Sequence, residues 1–264
     1  MSLHCSFHSE HAWPRLLPAV VLVVAVTALL PAPTDAQTSW EVQVENGAAF
    51  SGGNDVRIPG DSGTLFSLTD DLTSDTTYYW RVRASLRAGE RHVISALVAP
   101  LEIHAGGLFE RPVQFAGTTF LPGGPVSARY QFNSYRLTYR YEFVQTDRWR
   151  VGVGGTVKVR DAVIALRSTA TGESASKRNL GVVPLVNFLV QRRLGPRAAL
   201  HIEGDALAAP QGRAEDVFAG VRTELSRGVW LDLGYRVLEG GADNDEVYAF
   251  ALIHYAAAGL VLSF

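Results

Sequence analysis

Three groupings of residues in this 264-residue chain could do chemistry. Asp243-x-Asp245-Glu246 could chelate Ca²⁺, a cation that takes six to eight oxygens, although acidic loop tips are also common simply as solvated charge. Esterase chemistry needs a serine, a histidine and an acid within reach of one another. His254 and His104 are the loose histidine candidates and Ser134 the serine, beside Arg136, but no His-x-Ser run exists. A lone histidine on a strand usually packs as a neutral ring. Asp205, Glu215 and Asp216 with His201 form a third set, which reads equally as rim charge or as part of an internal network. Gly152-Val153-Gly154-Gly155 lies inside an alternating segment rather than between a strand and a helix. It is therefore no phosphate cradle and suits close packing or a bend. Ala208-Ala209-Pro210-Gln211-Gly212 reads as a plain hairpin turn.

Cysteine chemistry is bounded more tightly. The one cysteine, Cys5, precedes an apolar run, Leu16 to Leu30, that ends near Thr34-Asp35-Ala36. Small residues stand where a signal peptidase reads, so residues 1–36 are expected to be a signal peptide and 37–264 the exported chain. The apolar run is shorter than the roughly 20 residues of a membrane helix. Removing the signal removes Cys5, leaving no thiol for a disulfide, a Cys-based zinc site or a nucleophile. It also removes Arg15, Glu10 and Asp35, which leaves 23 basic and 24 acidic residues. No basic field calls for nucleic acid. Neither a cofactor nor a metal centre is implied, and no catalytic residue is assigned.

Segments that alternate must position these groups. His201-Ile202-Glu203-Gly204-Asp205-Ala206 and Trp230-Leu231-Asp232-Leu233-Gly234-Tyr235-Arg236 are samples of a period of two, the signature of a strand with one apolar and one polar face. Ten strands are expected, near 40–50, 76–87, 91–104, 127–145, 148–167, 178–193, 197–208, 214–226, 229–239 and 246–264. The alternative is eight, if 40–50 and one neighbour stay outside the sheet. Connectors after even-numbered strands are tight; those after odd-numbered ones, 51–75 and 105–126 above all, are mostly longer. Phe109, Phe115 and Phe120 in the second long connector should pack on something, either the barrel mouth or a headgroup layer. No internal repeat of solenoid length appears.

The expected fold is all-β: one closed antiparallel transmembrane barrel, apolar residues turned to lipid and charges to the lumen. Closure is required because an open edge leaves backbone groups unpaired in hydrocarbon. The lipid face collects Trp40, Val42 and Val44, then Tyr78, Trp80 and Val82, then Tyr135, Leu137, Tyr139, Tyr141 and Phe143. Trp149, Val151, Val153, Val157, Val159, Val182, Val186, Phe188 and Val190 continue it. The lumen network is expected to hold Glu41, Glu45, Arg81, Arg83, Glu102, Arg136, Arg140, Glu142, Lys158, Arg160, His201, Glu203, Asp205, Asp216, Arg222, Glu224, Asp232 and Arg236. Opposite charges in so narrow a space should pair and plug it, since unpaired burial costs several kcal/mol each. Near the C-terminus both faces are apolar, and a bulge near Ala256-Ala257-Ala258-Gly259 is expected to swap them. The competing fold is a soluble lipocalin-like barrel, with oil inside and charge outside.

Signal, alternation, turn asymmetry and the terminal Phe264 together resemble the small Gram-negative outer-membrane β-barrel proteins. Asn133-Ser134-Tyr135-Arg136-Leu137-Thr138-Tyr139-Arg140 and Leu238-Glu239-Gly240-Gly241-Ala242-Asp243 are similar to stretches of an uncharacterised group of them, which implies no activity. The resemblance implies an outer-membrane location, Phe264 as the signal read by the barrel-assembly machinery, and outer-membrane lipids and lipopolysaccharide as partners. Ten-stranded outer-membrane proteases are similar in strand number but share no motif residue by residue. A structural or interaction role through external loops is the leading expectation. A narrow channel for small solutes, or an enzyme acting on lipid A or peptides, are the alternatives.

Overall fold

The computed structural model describes residues 38–210 and 212–264; the expected signal peptide, residues 1–36, lies outside them. Fifteen strands follow one another: β1 (Thr38–Arg57), β2 (Phe66–Ser67), β3 (Thr73–Ser74), β4 (Thr77–Ala88), β5 (His92–Ala99), β6 (Glu102–Leu108), β7 (Val113–Phe115), β8 (Thr118–Phe120), β9 (Pro125–Gln145), β10 (Trp149–Ser168), β11 (Ser174–Arg193), β12 (Ala198–Ala209), β13 (Gly212–Ser226), β14 (Val229–Asp243) and β15 (Tyr248–Ser263). β5 and β6 both pair with β9 and together fill one wall position, split at Pro100. The wall runs β10-β11-β12-β13-β14-β15-β1-β4-β5/β6-β9, and β9 pairs with β10 to close it. That makes a closed ten-stranded antiparallel barrel. The eight-strand alternative fails because β1 joins the wall, pairing with β4 over Thr38–Ala49 and with β15 over Glu41–Arg57.

The two ends differ. At the terminal end the turns are short, and Trp40 and Phe264 exchange backbone hydrogen bonds across the seam. At the loop end the long connectors fold inward. β1 runs to Arg57, farther than its alternation suggested, because a register shift between Ser51 and Gly53 carries it past the polar stretch. β7 and β8 form a hairpin whose tight turn takes positive φ at Ala116 and Gly117. The backbones of the two loops are stitched together, Thr64 N–H to Gln114 O and Ala116 N–H to Ile58 O. Phe66 meets Phe109 and Phe115 edge-on, at centroid distances of 5.5 and 5.7 Å, a favourable aromatic geometry. Phe109, Phe115 and Phe120 are all buried. The three loop aromatics pack into the mouth.

Side chains alternate as pleating requires, but the composition of each face reverses along the barrel. In the terminal half the outward positions are apolar: Leu137, Tyr139, Val153, Val157 and Val186 are all exposed. In the loop half the inward positions are apolar: Val56, Ile103, Val126, Ile164, Leu166 and Ile253 are buried around the loop aromatics. This corrects two expectations. Glu102 does not face the lumen. Its neighbours Leu101 and Ile103 do, and Glu102 lies exposed against His104 and Arg129. Nor does β15 swap faces. Its pairing with β1 and β14 runs without a slip on β15, so Ala251, Ile253, Tyr255, Ala257 and Val261 all turn inward. Both of its faces are apolar because its loop half looks onto the aromatic plug.

Candidate functional site

The terminal half of the lumen holds the charged cluster. Four strands place its centre: β4 supplies Arg81, β9 Arg136, β13 Asp216 and β14 Arg236, each on the inward parity of its strand. Asp216 accepts from Arg81 Nη1 at 3.0 Å, Arg136 Nη2 at 2.5 Å and Arg236 Nη1 at 2.6 Å. Arg236 also grips Glu45 through Nε at 2.9 Å and Nη2 at 2.7 Å, a two-point geometry that arginine supplies and lysine does not. The Tyr79 hydroxyl donates to the same Glu45. Asp205 accepts from Arg136, Thr156 and Asn187 at 2.6–2.8 Å. Each of these carboxylates is buried, and each has its lone pairs occupied, the condition under which a buried charge is tolerated.

Nearer the terminal end, Glu142 is fully buried and accepts from Arg87, Arg140 and Arg150. Gly152 makes room for it, since a Cβ there would sit 3.0 Å from Glu142 Cγ, and the β9–β10 register shifts at this point. The glycine run therefore serves close packing and a bend. Arg83 pairs with Glu203 at 2.5 Å, and Arg222 with Asp232 at 2.7 Å and Glu41 at 3.5 Å. Phe218 lies between these groups and the Asp216 cluster, and it needs Gly220 and Gly234: a Cβ at either would stand 2.6 Å from its ring.

Not every expected member joins. His201 is buried against Phe218, with neither ring nitrogen hydrogen-bonded among the described residues. Glu224 is half-buried on the inward face and takes no part in the clusters above. Lys158 is 3% exposed, with its ammonium 4.6 Å from the Phe132 ring centroid and no ion pair among the described residues. Arg160 donates to Asn179 rather than to a carboxylate, and its Nε is unsatisfied. Arg87 and Arg150 are members that the expected network lacked. Both share the parity of their strands' inward residues, so that signal was present. Of the cations in the charged layer, Lys158 and Arg160 make no salt bridge among the described residues.

The chemical candidates do not converge. Asp205 and Asp216 are register partners four residues from the β12–β13 turn and are buried among arginines, while His201 sits nearer the terminal end. His254 faces outward against the Tyr235 hydroxyl, and His104 faces outward beside Glu102. Ser134 is occupied by Arg136 Nε at 3.0 Å. No group of three His, Cys, Asp or Glu side chains suited to a metal ion occurs among the described residues. Asn244, at the Asp243–Glu246 tip, uses its side-chain oxygen on the backbone N–H groups of Glu246 and Val247.

Two cavities flank the charged layer. One, of about 170 Å³, opens at the terminal end among Glu41, Arg83, Arg87, Arg140 and Glu203. The other, of about 560 Å³, lies toward the loop end and is lined by Lys158, Arg160, Ile164, Lys177, Val183 and Leu238, among others. They share no lining residue. Between them stands the Arg81–Arg136–Asp216–Arg236 layer.

No protein-family model matches the sequence, and no curated protein sequence does. Solved structures do match in fold. The outer membrane protease OmpT of Escherichia coli is similar over 89% of this chain and 99% of its own, with 9% identity and a TM-score of 0.51. An outer membrane channel from Pseudomonas putida F1 aligns over 89% of this chain and all of its own, with 9% identity and a TM-score of 0.41. The likeness to OmpT carries the fold and no chemistry: the two share a closed antiparallel barrel.

Proposed function

We propose that this chain is an integral barrel of a bacterial outer membrane, closed to bulk ion flow, that works through its loop-end surface. The observation that carries this reading is the apolar belt around the terminal half over a lumen filled by paired charges. On β10 the belt runs from Trp149 to Val159, eleven residues, and a membrane-crossing strand takes about 9–11. Trp149, Tyr141 and Phe143 rim it at the terminal end, where an interfacial aromatic girdle belongs. Outside the belt, outward-facing ion pairs begin: Glu102–Arg129, Asp161–Arg178 and Arg213–Glu239. Such pairs suit water and would be costly in hydrocarbon. In this orientation the termini are periplasmic and the folded loops external. The lipid belt contacts the bilayer, the external rim faces lipopolysaccharide, and Phe264 serves the assembly machinery.

Closure of the lumen rests on the separated cavities and on the buried Asp216 layer between them. Heat-modifiable migration of the protein from purified outer membranes is expected, with loss of the folded form on boiling. In planar bilayers the folded protein is expected to show no steady open state. A large, sustained conductance would favour the solute-channel reading instead. Hydrolysis of labelled lipid A or peptides, abolished on changing His201, His254 or Asp205, would favour an enzyme. Deleting Phe264 is expected to lower the yield of heat-modifiable barrel in outer membranes while leaving exported chain in the periplasm.

A further inference from the structure

β11 is a full strand, but its two neighbours are unequal. β10 pairs with it from Ser174 to Arg192. β12 pairs with it only from Val186 to Arg193. From Ser174 to Leu185 one edge of β11 thus has no strand beside it among the described residues, and the wall is notched down to the Val186–Ala206 pair. Pro184, which has no N–H to offer a neighbour, lies in this stretch, as a proline within a sheet should. Leu180 and Val182 on the same stretch are outward and exposed, so the notch cuts into the upper part of the apolar belt. An open edge at that depth is tolerated only where it lines a cavity or is covered.

A cavity is there. The 560 Å³ space lies behind the notch, a size typical of small-molecule sites, which run about 300–1,000 Å³. At its floor sit the two cations that the lumen leaves without carboxylates. Lys158 is 3% exposed, with its ammonium over the Phe132 ring and no hydrogen bond or ion pair among the described residues; Arg160 has a buried Nε with no acceptor. Lys177, also in the lining, pairs with Glu246 at 3.4 Å. Apolar lining stands beside the cations: Val183 opposite Lys158, Leu238 at the level of Asp216, and Ile164 nearer the loops, where Glu239, Asp245 and Glu246 also line the cavity. Buried cations, an apolar strip beside them and a side door at the belt form a site for one chemistry.

We propose that this cleft binds an anionic amphiphile entering from the outer leaflet, its carboxylate or phosphate head on Lys158 and Arg160 and its acyl chain along Ile164, Val183 and Leu238. The head supplies a counter-charge for Lys158 and Arg160. The chain covers the open edge of β11. The proposal rests on the membrane orientation above.

The test uses the full exported chain, purified in a neutral maltoside detergent and checked for heat-modifiable migration. Native mass spectrometry is run with dodecanoate, dodecyl phosphate and dodecyltrimethylammonium, three probes of one tail and different heads. A single adduct with dodecanoate, dodecyl phosphate or both is expected, and which of them binds names the head group; the cationic probe should give none. Lys158→Met is expected to weaken that adduct at least tenfold. It should also raise resistance to urea in the absence of probe, because it removes a buried charge that has no partner. If Lys158 only braced Phe132, the same change would lower resistance and leave binding intact. Val183→Trp, which fills the cleft without touching charge, should abolish the adduct. Equal binding of all three probes, binding unchanged in both variants, or no adduct at all would overturn the site. A preparation that is not heat-modifiable would instead overturn the membrane reading on which the site depends.

Discussion

The terminal and loop halves of this barrel are built on the same strands, in the same phase, with opposite chemistry. On β9, Arg136 and Arg140 point inward in the terminal half while Leu137 and Tyr139 point outward. Farther along the same strand Tyr130 and Ala128 are inward and buried while Arg129 is exposed. No bulge separates the two stretches, so the pleat has not slipped. In the proposed orientation, what changes is the medium outside: hydrocarbon around the terminal half makes outward charge expensive and leaves charge only the lumen. Water around the loop half removes that penalty, and the ordinary rule of a soluble barrel returns, with oil inside. The lipocalin-like arrangement that competes with a membrane barrel as a whole therefore describes one half of it.

The largest expected effect is at the centre of the terminal half. Asp216→Ala leaves Arg81, Arg136 and Arg236 facing one another without their shared carboxylate. Breaking a buried pair costs about 3–5 kcal/mol, and urea titration in lipid vesicles should show a loss at least that large, or no folded barrel at all. Phe115→Ala is its counterpart in the loop half. Truncating a buried phenylalanine costs about 3–5 kcal/mol, but here the loss should fall on the plug. Limited proteolysis should open residues 109–124 while the barrel stays heat-modifiable. If both variants unfolded the whole chain alike, the halves would not be energetically distinct.

Smaller effects probe the outward face. Leu137→Arg places a charge in the belt, where arginine costs about 2–4 kcal/mol at mid-depth. Arg129→Leu, on the same face of the same strand beyond the belt, should change stability by less than about 0.5 kcal/mol, as surface substitutions do. The smallest effect is one of pH. Partial burial pushes the Asp71 carboxyl up, but hydrogen bonds from Arg111 and the Ser67 N–H outweigh it and hold the group below the ordinary aspartate range. A carboxyl lowered on folding stabilises the fold at pH values above its ordinary range and loses that contribution as acid protonates it. Hydrogen exchange in residues 58–76 should therefore quicken only in acid, below the ordinary aspartate range, and stay flat around neutrality.

The wall was legible in the sequence because period two is a local signal. Each expected strand overlaps an observed one, and the inward parity of Arg81, Arg136, Asp216 and Arg236 follows from alternation alone. The inversion was not legible, because alternation reports that two faces differ and not which medium each one meets. Glu102 is the clear case: a charge on an alternating strand reads as lumenal if the whole strand is taken to lie in lipid. On β15 both faces are oily and alternation gives no contrast, which invited a bulge that the paired strand does not have. Pairing within the lumen was beyond reach for another reason. Arg136 meets Asp205 and Asp216 across the barrel, some 70 and 80 positions along the chain. Nothing local marks Lys158 as the cation left over; that depends on counting partners from every strand at once.

Because the exported chain is expected to carry no cysteine, single cysteines placed along one face report directly on the medium. Leu137→Cys, Val157→Cys and Val182→Cys, each carrying a fluorophore, should be quenched by bromine atoms on lipid tails and not by iodide in water. Glu102→Cys, Arg129→Cys and Arg167→Cys should show the reverse. That reversal along an unbroken parity is the outcome expected of a barrel that changes its facing with its surroundings. Uniform quenching by lipid at all six positions, or by iodide at all six, would contradict it.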